Sequence, residues 1–448
     1  MSSYKVKKTD GNTEWFRHDR FGMFIHFGLY AMPARHEWIK NYESISEEKY
    51  QKYFDNFNPD LYDAREWAKQ AKAAGMKYAV LTTKHHEGFC LFDSKYTDYK
   101  VTNTPYGKDI VKEFVDAFRA EGIRIGFYYS LIDWHHKDFP IDMHHPRRHD
   151  ANARELDKGR DMHKYCEYMR NQVTELLTNY GKIDIMWFDF SYKREVPDAY
   201  DIKNTYDWMQ FGGMKGKEEW EAAELIATAR KYQPEIIIDN RTGLEQDIFT
   251  PEQFQPDRWV TDDKGELVTW EACQTFSGSW GYHRDELTWK SPEQLINMLV
   301  DTVSLGGNLI MNVGPTARGY FDSRAVTALE AYAKWMKYNS RSVYGCTMAE
   351  PEFLAPNGTK LSQSEDGKRL YIHLQKYPFG YISVENLAGK IEYAQFLHDG
   401  SEVLYSEDTF SHFLSDAEGL ANNKGSVFFN LPTVKPDVIS PVIEIILK

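Results

Sequence analysis

Several apolar runs of this sequence end in polar side chains that a buried strand would not need. In YAVLTTKHHEGFCLFDS (78–94), an apolar stretch is followed directly by His85, His86 and Glu87. Imidazoles donate or accept hydrogen bonds and a carboxylate accepts them, so this combination is suited to a polar ligand. The pattern indicates that a substrate binds where this run ends.

A second apolar run, IDIMWFDF (183–190), places Asp189 at its end, two residues after Trp187. A carboxylate next to such a run is partly desolvated, which is unfavourable unless a cation or a hydrogen-bond donor pairs with it. Arg241, farther along the chain, is a candidate partner. An aspartate at this place can also cap the N-terminus of a helix, and both interpretations stay open.

Hydrolysis of a glycosidic bond is one reaction that such carboxylates perform. It needs two carboxyl groups, one that attacks or polarises and another that donates a proton. Asp189 is the candidate nucleophile, and the acid must come from another segment to reach the opposite face of the sugar. The spacing leaves five candidate acids open, which are Glu37, Glu87, Glu252, Glu271 and Glu286.

An alternation of apolar runs and helical stretches from about residue 20 to about residue 345 must position these groups. The strand candidates are the runs 21–28, 78–85, 124–130, 183–190, 235–241 and 308–314. Helical stretches such as 63–75 and 109–122 end in glycine, a common helix stop. The alternation predicts a parallel sheet, and its size favours an irregular (β/α)₈-like barrel.

In such a barrel, the chemistry lies at the carboxyl ends of the strands. The polar and aromatic residues that end the strand candidates should therefore meet at one mouth. They are His26, then His85, His86 and Glu87, then Tyr128 or Tyr129 with Asp133 and Trp134, then Asp189, then Asn240 and Arg241, and finally Asn312.

The hydrophobic pattern of the sequence changes at about residue 346. Helical stretches give way to short alternating runs separated by turn residues, such as KRLYIHLQ (368–375) and VIEIILK (442–448). This pattern predicts a small β-sandwich. We therefore expect a barrel domain over residues 1–345 and a sandwich domain over residues 346–448.

Composition and charge narrow the classes of partner. The 448 residues carry a formal net charge of −13, which disfavours nucleic acid and anionic membranes. The four cysteines are far apart, which predicts reduced thiols. The N-terminus shows no apolar leader, so we expect a cytoplasmic protein, although a trimmed secreted or periplasmic form would look the same. A homo-oligomer stays open.

Beyond these patterns, the chain resembles the α-L-fucosidases of glycoside hydrolase family 29. The resemblance covers most of residues 15–345 and rests on several long motifs in the right succession. They are WFRHDRFGMFIHFGLYAMPA (15–34), HEW (36–38), KYAVLTTKHHEGFCLFDS (77–94), GFYYSLIDWH (126–135), IMWFDF (185–190), DNRTG (239–243), FTPEQF (249–254), TWEACQTFSGSWGYHRDE (269–286) and VSLGGNLIMNVGPTARG (303–319). The family implies an irregular (β/α)₈-like catalytic domain followed by a C-terminal β-sandwich.

The resemblance also implies roles for single residues. Asp189 matches the nucleophile of a Trp-x-Asp pattern that begins at Trp187, and Phe190 stands where that pattern commonly has glycine. The further residues that match substrate-binding positions are His26, Glu37, Trp38, His85, His86, Trp187, Arg241 and one of the tyrosines 128 and 129, of which we favour Tyr129. Trp38, Phe27 or Trp280 would receive the apolar 6-methyl group of fucose.

For the acid/base, the family often has a glutamate shortly after this arginine, in a Thr-x-Glu-Tyr context. Thr250-Pro251-Glu252-Gln253 fits that context, with glutamine in place of tyrosine, so Glu252 is our choice. Glu271 is the alternative, because the motif around it is strongly patterned.

The implied reaction is the hydrolysis of terminal α-L-fucosides of oligosaccharides or glycoconjugates with retention of configuration. No metal and no other cofactor is expected. A non-catalytic or transglycosylating glycan-binding relative is one alternative, and a metal-dependent barrel hydrolase is another. Against the latter, the first strand offers a single His26 without a His-x-His pair, and HExxH is absent.

Overall fold

A sheet of seven parallel strands forms the central part of the molecule. The computed structural model of the chain describes residues 3–192, 215–407 and 425–448. The strands are β1 (Phe21–Ile25), β2 (Tyr78–Lys84), β3 (Arg124–Ser130), β4 (Ile185–Asp189), β5 (Ile237–Ile238), β6 (Glu271–Thr275) and β7 (Asn308–Val313). They lie in the order β5-β4-β3-β2-β1-β7-β6, and every neighbouring pair is parallel.

An irregular segment closes this sheet into a barrel. The segment 248–253 lies between the two edge strands: Ile248 bridges to Asp239 just after β5, while Phe249 and Glu252 bridge to the β6 side. All three bridges are parallel, so the segment occupies the place of an eighth strand. The predicted irregular (β/α)₈-like barrel is therefore confirmed.

Helices surround the barrel. Their bounds are α1 (Glu14–Asp19), α2 (Ile39–Tyr42), α3 (Glu47–Asp55), α4 (Ala64–Ala73), α5 (Ile110–Ala120), α6 (Ala153–Asp157), α7 (Met162–Asn179), α8 (Ala222–Tyr232), α9 (Pro292–Ser304) and α10 (Ser323–Asn339). Local sequence sets their ends: the Asp63 carboxylate accepts hydrogen bonds from the first turn of α4, and Gly75 after it has a φ of +86°. None of the helices in the described ranges combines the length and the apolar character that crossing a membrane requires.

The strands are buried on both faces, and alternate residues face different layers. Phe24, Tyr128 and Trp187 belong to the apolar cluster inside the barrel. Their chain neighbours Tyr129 and Phe188 belong to the larger cluster between the strands and the helices. This alternation follows from the two-residue period of a strand, and it decides which side chains reach the mouth.

The C-terminal part contains two antiparallel sheets, as the predicted β-sandwich requires. The remaining strands are β8 (Cys346–Met348), β9 (Thr359–Ser364), β10 (Arg369–Leu374), β11 (Tyr381–Val384), β12 (Ile391–Phe396), β13 (Tyr405–Ser406), β14 (Val427–Asn430) and β15 (Val442–Leu447). One sheet has the order β12-β15-β10-β9-β8 and the other β11-β14-β13. Side chains such as Ile372, Val384, Phe429 and Ile443 form their own buried apolar cluster.

The Arg20 side chain ties the two parts together at the end of the barrel opposite the mouth. It is 1% exposed, its Nε donates to the carbonyl of Cys346 at 2.7 Å, and its Nη1 donates to the carbonyl of Gly306 at 2.7 Å. Cys346 begins β8, whereas Gly306 precedes β7. One guanidinium thus satisfies buried carbonyl groups of both parts.

We expect Arg20→Met to lower the free energy of unfolding by about 2–3 kcal/mol, because two buried carbonyls lose a charged donor. Chemical denaturation measures this change. Arg258→Met is the matched control, because Arg258 is exposed and its ion pair is with the adjacent Asp257. Equal stabilities of the two variants would contradict the assigned role of Arg20.

Candidate active site

A cavity of about 80 Å³ opens at the carboxyl ends of the barrel strands. Its walls come from most of the strand ends and from the loops that follow them. The lining residues are Phe24, His26, Glu37, Trp38, His85, His86, Tyr128, Trp187, Asp189, Phe190, Tyr192, Arg241, Glu252 and Trp280. The structure therefore brings together the predicted catalytic pair and the predicted substrate-binding residues except Tyr129. The predicted residues outside the lining are Tyr129, the alternative acid Glu271 and the strand-end residues Glu87, Asp133, Trp134, Asn240 and Asn312.

Asp189 ends β4, and both of its carboxylate oxygens are engaged by side chains. Tyr128 donates its hydroxyl to Oδ2 at 2.8 Å, and Arg241 Nη1 lies 3.3 Å from Oδ1. Burial raises the pKa of Asp189 to about 6, although the Arg241 guanidinium opposes this shift. These contacts favour a paired carboxylate over a helix cap.

Arg241 also holds the second carboxylate. The same Nη1 donates to Glu252 Oε2 at 2.5 Å. The rest of the guanidinium is fixed by Thr250, since Nε donates to its hydroxyl at 2.8 Å and Nη2 to its carbonyl at 3.0 Å. The guanidinium also lies over the ring of Trp187, 4.6 Å from its centroid.

This arrangement limits the distance between the two carboxylates. Asp189 Oδ1 and Glu252 Oε2 lie 3.3 Å and 2.5 Å from one nitrogen, so their separation cannot exceed the sum of these distances. This upper limit for one pair of oxygen atoms lies below the about 6.5–9.5 Å between carboxyl groups of inverting glycosidases and is compatible with the about 5–5.5 Å of retaining ones. The side chain of Glu252 is 39% exposed and that of Asp189 13%.

The hydrogen-bond network around His26 determines its tautomer. The Asn312 amide nitrogen donates to the carbonyl of Trp280 at 2.6 Å, so the amide oxygen faces His26 Nδ1, which lies 2.6 Å from it. Nδ1 therefore carries the proton and Nε2 is a hydrogen-bond acceptor. Burial lowers the pKa of His26 to about 3, so the ring is neutral at ordinary pH.

The two following histidines are also held neutral, because burial lowers the pKa of each well below its usual value. Ser130 donates its hydroxyl to the Ile132 carbonyl at 2.8 Å, so its oxygen accepts from His86 Nδ1 at 2.6 Å and leaves His86 Nε2 as an acceptor. His85 Nδ1 is buried and has no hydrogen-bond partner within the described ranges. His26 Nε2 and His86 Nε2 are therefore the ring nitrogens that can accept hydrogen bonds from sugar hydroxyls.

Of the five candidate acids, Glu37 and Glu252 line the cavity. Glu37 Oε2 accepts from the backbone N–H of Gly281 at 2.8 Å, which ties the loop after β1 to the loop after β6. Glu87 accepts from the backbone N–H of Leu29 and from the hydroxyl of Tyr50, and Glu286 accepts from Thr288. These two carboxylates support loops.

The preference for Tyr129 was wrong, and Tyr128 is the tyrosine of the cavity. Tyr129 faces the helices, where it donates its hydroxyl to Gln172 of α7 at 2.7 Å. Consecutive strand residues point to opposite faces, so only one of the two tyrosines can face the barrel interior. Tyr128 does so and contacts Asp189.

Glu271 is also misplaced as the alternative acid. It begins β6 and lies opposite Asn308, the first residue of β7, so it belongs to the base of the barrel. Its side chain is fully buried, and its Oε2 accepts from the hydroxyl of Tyr78 at 2.5 Å. Burial raises the pKa of Glu271 to about 7. A carboxyl at this depth cannot reach the mouth.

Three lining residues were not predicted as site residues. Phe24 lies two residues before His26 on the same face of β1, so strand periodicity could have identified it. Phe190 follows Asp189 directly and Tyr192 lies three residues after it, and this proximity was their only sequence signal. Asp133, which ends the third strand candidate, pairs with the buried Lys84 at 3.2 Å and is not part of the cavity lining.

Comparisons with known proteins agree on one family. The sequence model of the family described as alpha-L-fucosidase matches residues 2–341. An alpha-L-fucosidase of Dictyostelium discoideum is 29% identical over 371 residues, which cover 74% of this chain and 71% of that protein.

Solved structures are similar over nearly the whole chain. Alpha-L-fucosidase isoenzyme 1 of Paenibacillus thiaminolyticus superimposes with a TM-score of 0.85 at 43% identity, covering 97% of this chain and 98% of that one. A GH29 alpha-L-fucosidase of Bacteroides thetaiotaomicron, trapped as a covalent intermediate in complex with 2-fluoro-fucosyl fluoride, gives a TM-score of 0.80 at 28% identity. The match covers 100% of this chain and 99% of that one.

Proposed function

The chain belongs to the α-L-fucosidase family of retaining glycoside hydrolases, and we propose that Asp189 is its nucleophile and Glu252 its general acid and base. The observation that carries this assignment is the single Arg241 nitrogen that contacts both carboxylates. It supports a separation suited to double displacement. The 2-fluoro-fucosyl fluoride complex of the Bacteroides relative supports fucosylated oligosaccharides or glycoconjugates as the substrate class.

In the first step, Asp189 attacks the anomeric carbon while Glu252 gives its proton to the leaving oxygen. In the second step, Glu252 takes a proton from a water molecule, and this water attacks the anomeric carbon and breaks the fucosyl ester of Asp189. The negative charge thus moves from Asp189 to Glu252 when the ester forms and returns when it is hydrolysed. Arg241 contacts both, so one guanidinium neutralises the ionised partner in each state.

Histidine and tryptophan residues of the lining would bind the fucose. His26 Nε2 and His86 Nε2 accept hydrogen bonds from hydroxyl groups, which suits a neutral, hydroxyl-rich ligand. Trp38 and Trp280 stay candidates for the apolar 6-methyl group, because both line the cavity. Phe27 does not, since its ring packs against Phe57 and Trp67 in the helix layer.

Azide rescue of Asp189→Ala and Glu252→Ala tests the two roles. The turnover number of each variant for an aryl α-L-fucoside should be about 10²–10⁴-fold lower than that of the wild type. Azide should restore Asp189→Ala with a β-fucosyl azide product, because it attacks in place of the nucleophile. It should restore Glu252→Ala with an α-fucosyl azide, because it replaces the water of the second step. The product anomers are identified by NMR.

Glu271→Ala is the matched control for these variants. It should lower thermal stability, because the Tyr78 hydroxyl loses its partner, and azide should not increase its turnover. Azide rescue of Glu271→Ala but not of Glu252→Ala would overturn the acid/base assignment.

Tyr128→Phe should move the acidic limb of the pH profile of kcat/KM to higher pH by roughly 0.5–1 unit. The nucleophile must be ionised, so activity is lost as the pH falls through the pKa of Asp189, which is about 6. The Tyr128 hydroxyl donates to that carboxylate and lowers its pKa, and its removal therefore raises the pKa.

Tyr129→Phe is the control for this measurement. It removes a hydroxyl that donates to Gln172 outside the barrel, so the profile should keep its wild-type position. A shift in Tyr129→Phe, or an unshifted limb in Tyr128→Phe, would contradict the proposed contact between Tyr128 and the nucleophile.

A further inference from the structure

Phe190, the residue after the proposed nucleophile, has a left-handed backbone conformation. Its φ is +87°, a region that glycine adopts freely and that is rare for a bulky side chain. Backbone strain of this kind persists where the surrounding structure enforces it, and it is concentrated at functional sites.

Hydrogen bonds on both sides of Phe190 enforce this conformation. The carbonyl of Asp189 accepts from the N–H of Leu131, on the β3 side, at 3.0 Å. Two residues later, the N–H of Ser191 donates to the carbonyl of Arg241, after β5, at 3.1 Å. The chain changes its partner strand within this turn. Glycine would make the same turn without strain, so the turn itself does not explain why this position has a phenylalanine.

The ring of Phe190 joins four other rings at the mouth of the cavity. Its centroid lies 5.4 Å from that of Trp38, 5.1 Å from His86, 5.0 Å from His144 and 5.5 Å from Tyr192. These distances are typical of packed aromatic pairs. The contacts fix the ring in place and offset part of the strain.

These contacts form part of a longer row of rings, which we call the aromatic arc and define as Tyr192, Phe190, Trp38 and Tyr42. At one end, the Tyr192 hydroxyl accepts from the Arg241 Nη1 that also holds Glu252, at 2.9 Å. At the other end, Tyr42 is stacked on Trp38 at 6.1 Å with an interplanar angle of 25°, and it is 64% exposed. The arc runs from beside the proposed acid to solvent.

We propose that the aromatic arc is the subsite for the leaving group, the sugar or aryl ring attached to fucose, and that Phe190 determines its specificity. The proposal rests on the proposed function, because the leaving group departs at Glu252, where the arc begins. Flat apolar faces of sugar and aryl rings stack on aromatic side chains. A leaving group without such a face is not stabilised by stacking on the aromatic arc.

Two substrates separate this role from catalysis: 4-nitrophenyl α-L-fucoside, which has an aryl leaving group, and α-L-fucosyl fluoride, which has no ring to stack. In Phe190→Gly and Phe190→Ala, kcat/KM for the aryl fucoside should fall roughly 3–10-fold, the effect of one lost aromatic contact. For the fluoride the loss should be clearly smaller, because this substrate has no ring to stack on Phe190 and only the packing of Phe190 against His86 is lost. Phe190→Gly should also melt at a higher temperature than Phe190→Ala, because glycine adopts the positive φ without strain.

Phe379→Ala is the matched control, since Phe379 is 85% exposed in the antiparallel part of the chain, and it should leave both substrates unaffected. Tyr42→Ala leaves the β4 backbone intact and should also lower kcat/KM for the aryl fucoside alone, so it keeps the test decisive if the Phe190 variants misfold. Equal losses for both substrates, or no loss for the aryl fucoside, would overturn the proposal. A wild-type protein that hydrolyses neither substrate would instead overturn the proposed function.

Discussion

The site depends on one buried cation. Arg241 is 7% exposed, and a charge so far removed from water is tolerated only when opposite charges and hydrogen bonds surround it. The guanidinium obtains both: Nε and Nη2 donate hydrogen bonds to Thr250, and Nη1 contacts the two carboxylates. A lysine at this position would have a single nitrogen and could not be fixed and shared in this way.

The three histidines of the cavity add no positive charge beside this cation. Burial keeps the three cavity imidazoles neutral, so they add hydrogen-bonding groups without adding positive charge. Because these rings are neutral, they do not form ion pairs with Asp189 in place of Arg241, and they can form hydrogen bonds with a neutral sugar. Asn312 and Ser130 fix the tautomers of His26 and His86, so the positions of these donors and acceptors are set before a substrate binds.

The fold and most of the site could be predicted from sequence because strand ends carry the signal. Asp189 and Arg241 follow apolar runs, and a barrel brings such ends to one mouth. The two adjacent tyrosines of β3 point to opposite faces of the strand. Because both are aromatic, the sequence does not show which of them faces the barrel interior. Glu271 begins β6, which was not among the six strand candidates, so its place at the base of the barrel could be seen only in the structure. The segment 248–253 contains Pro251 and lacks an apolar run, so its role as the eighth strand could be seen only in three dimensions.

The unequal exposure of the two carboxylates has a stereochemical consequence. Asp189 lies on the dry face of the reaction centre, whereas Glu252 borders bulk water, with side-chain exposures of 13% and 39%. Water therefore approaches the fucosyl ester from the side that the departing group has just vacated. Attack from that side, opposite the bond to Asp189, inverts the anomeric centre a second time and so restores the original configuration.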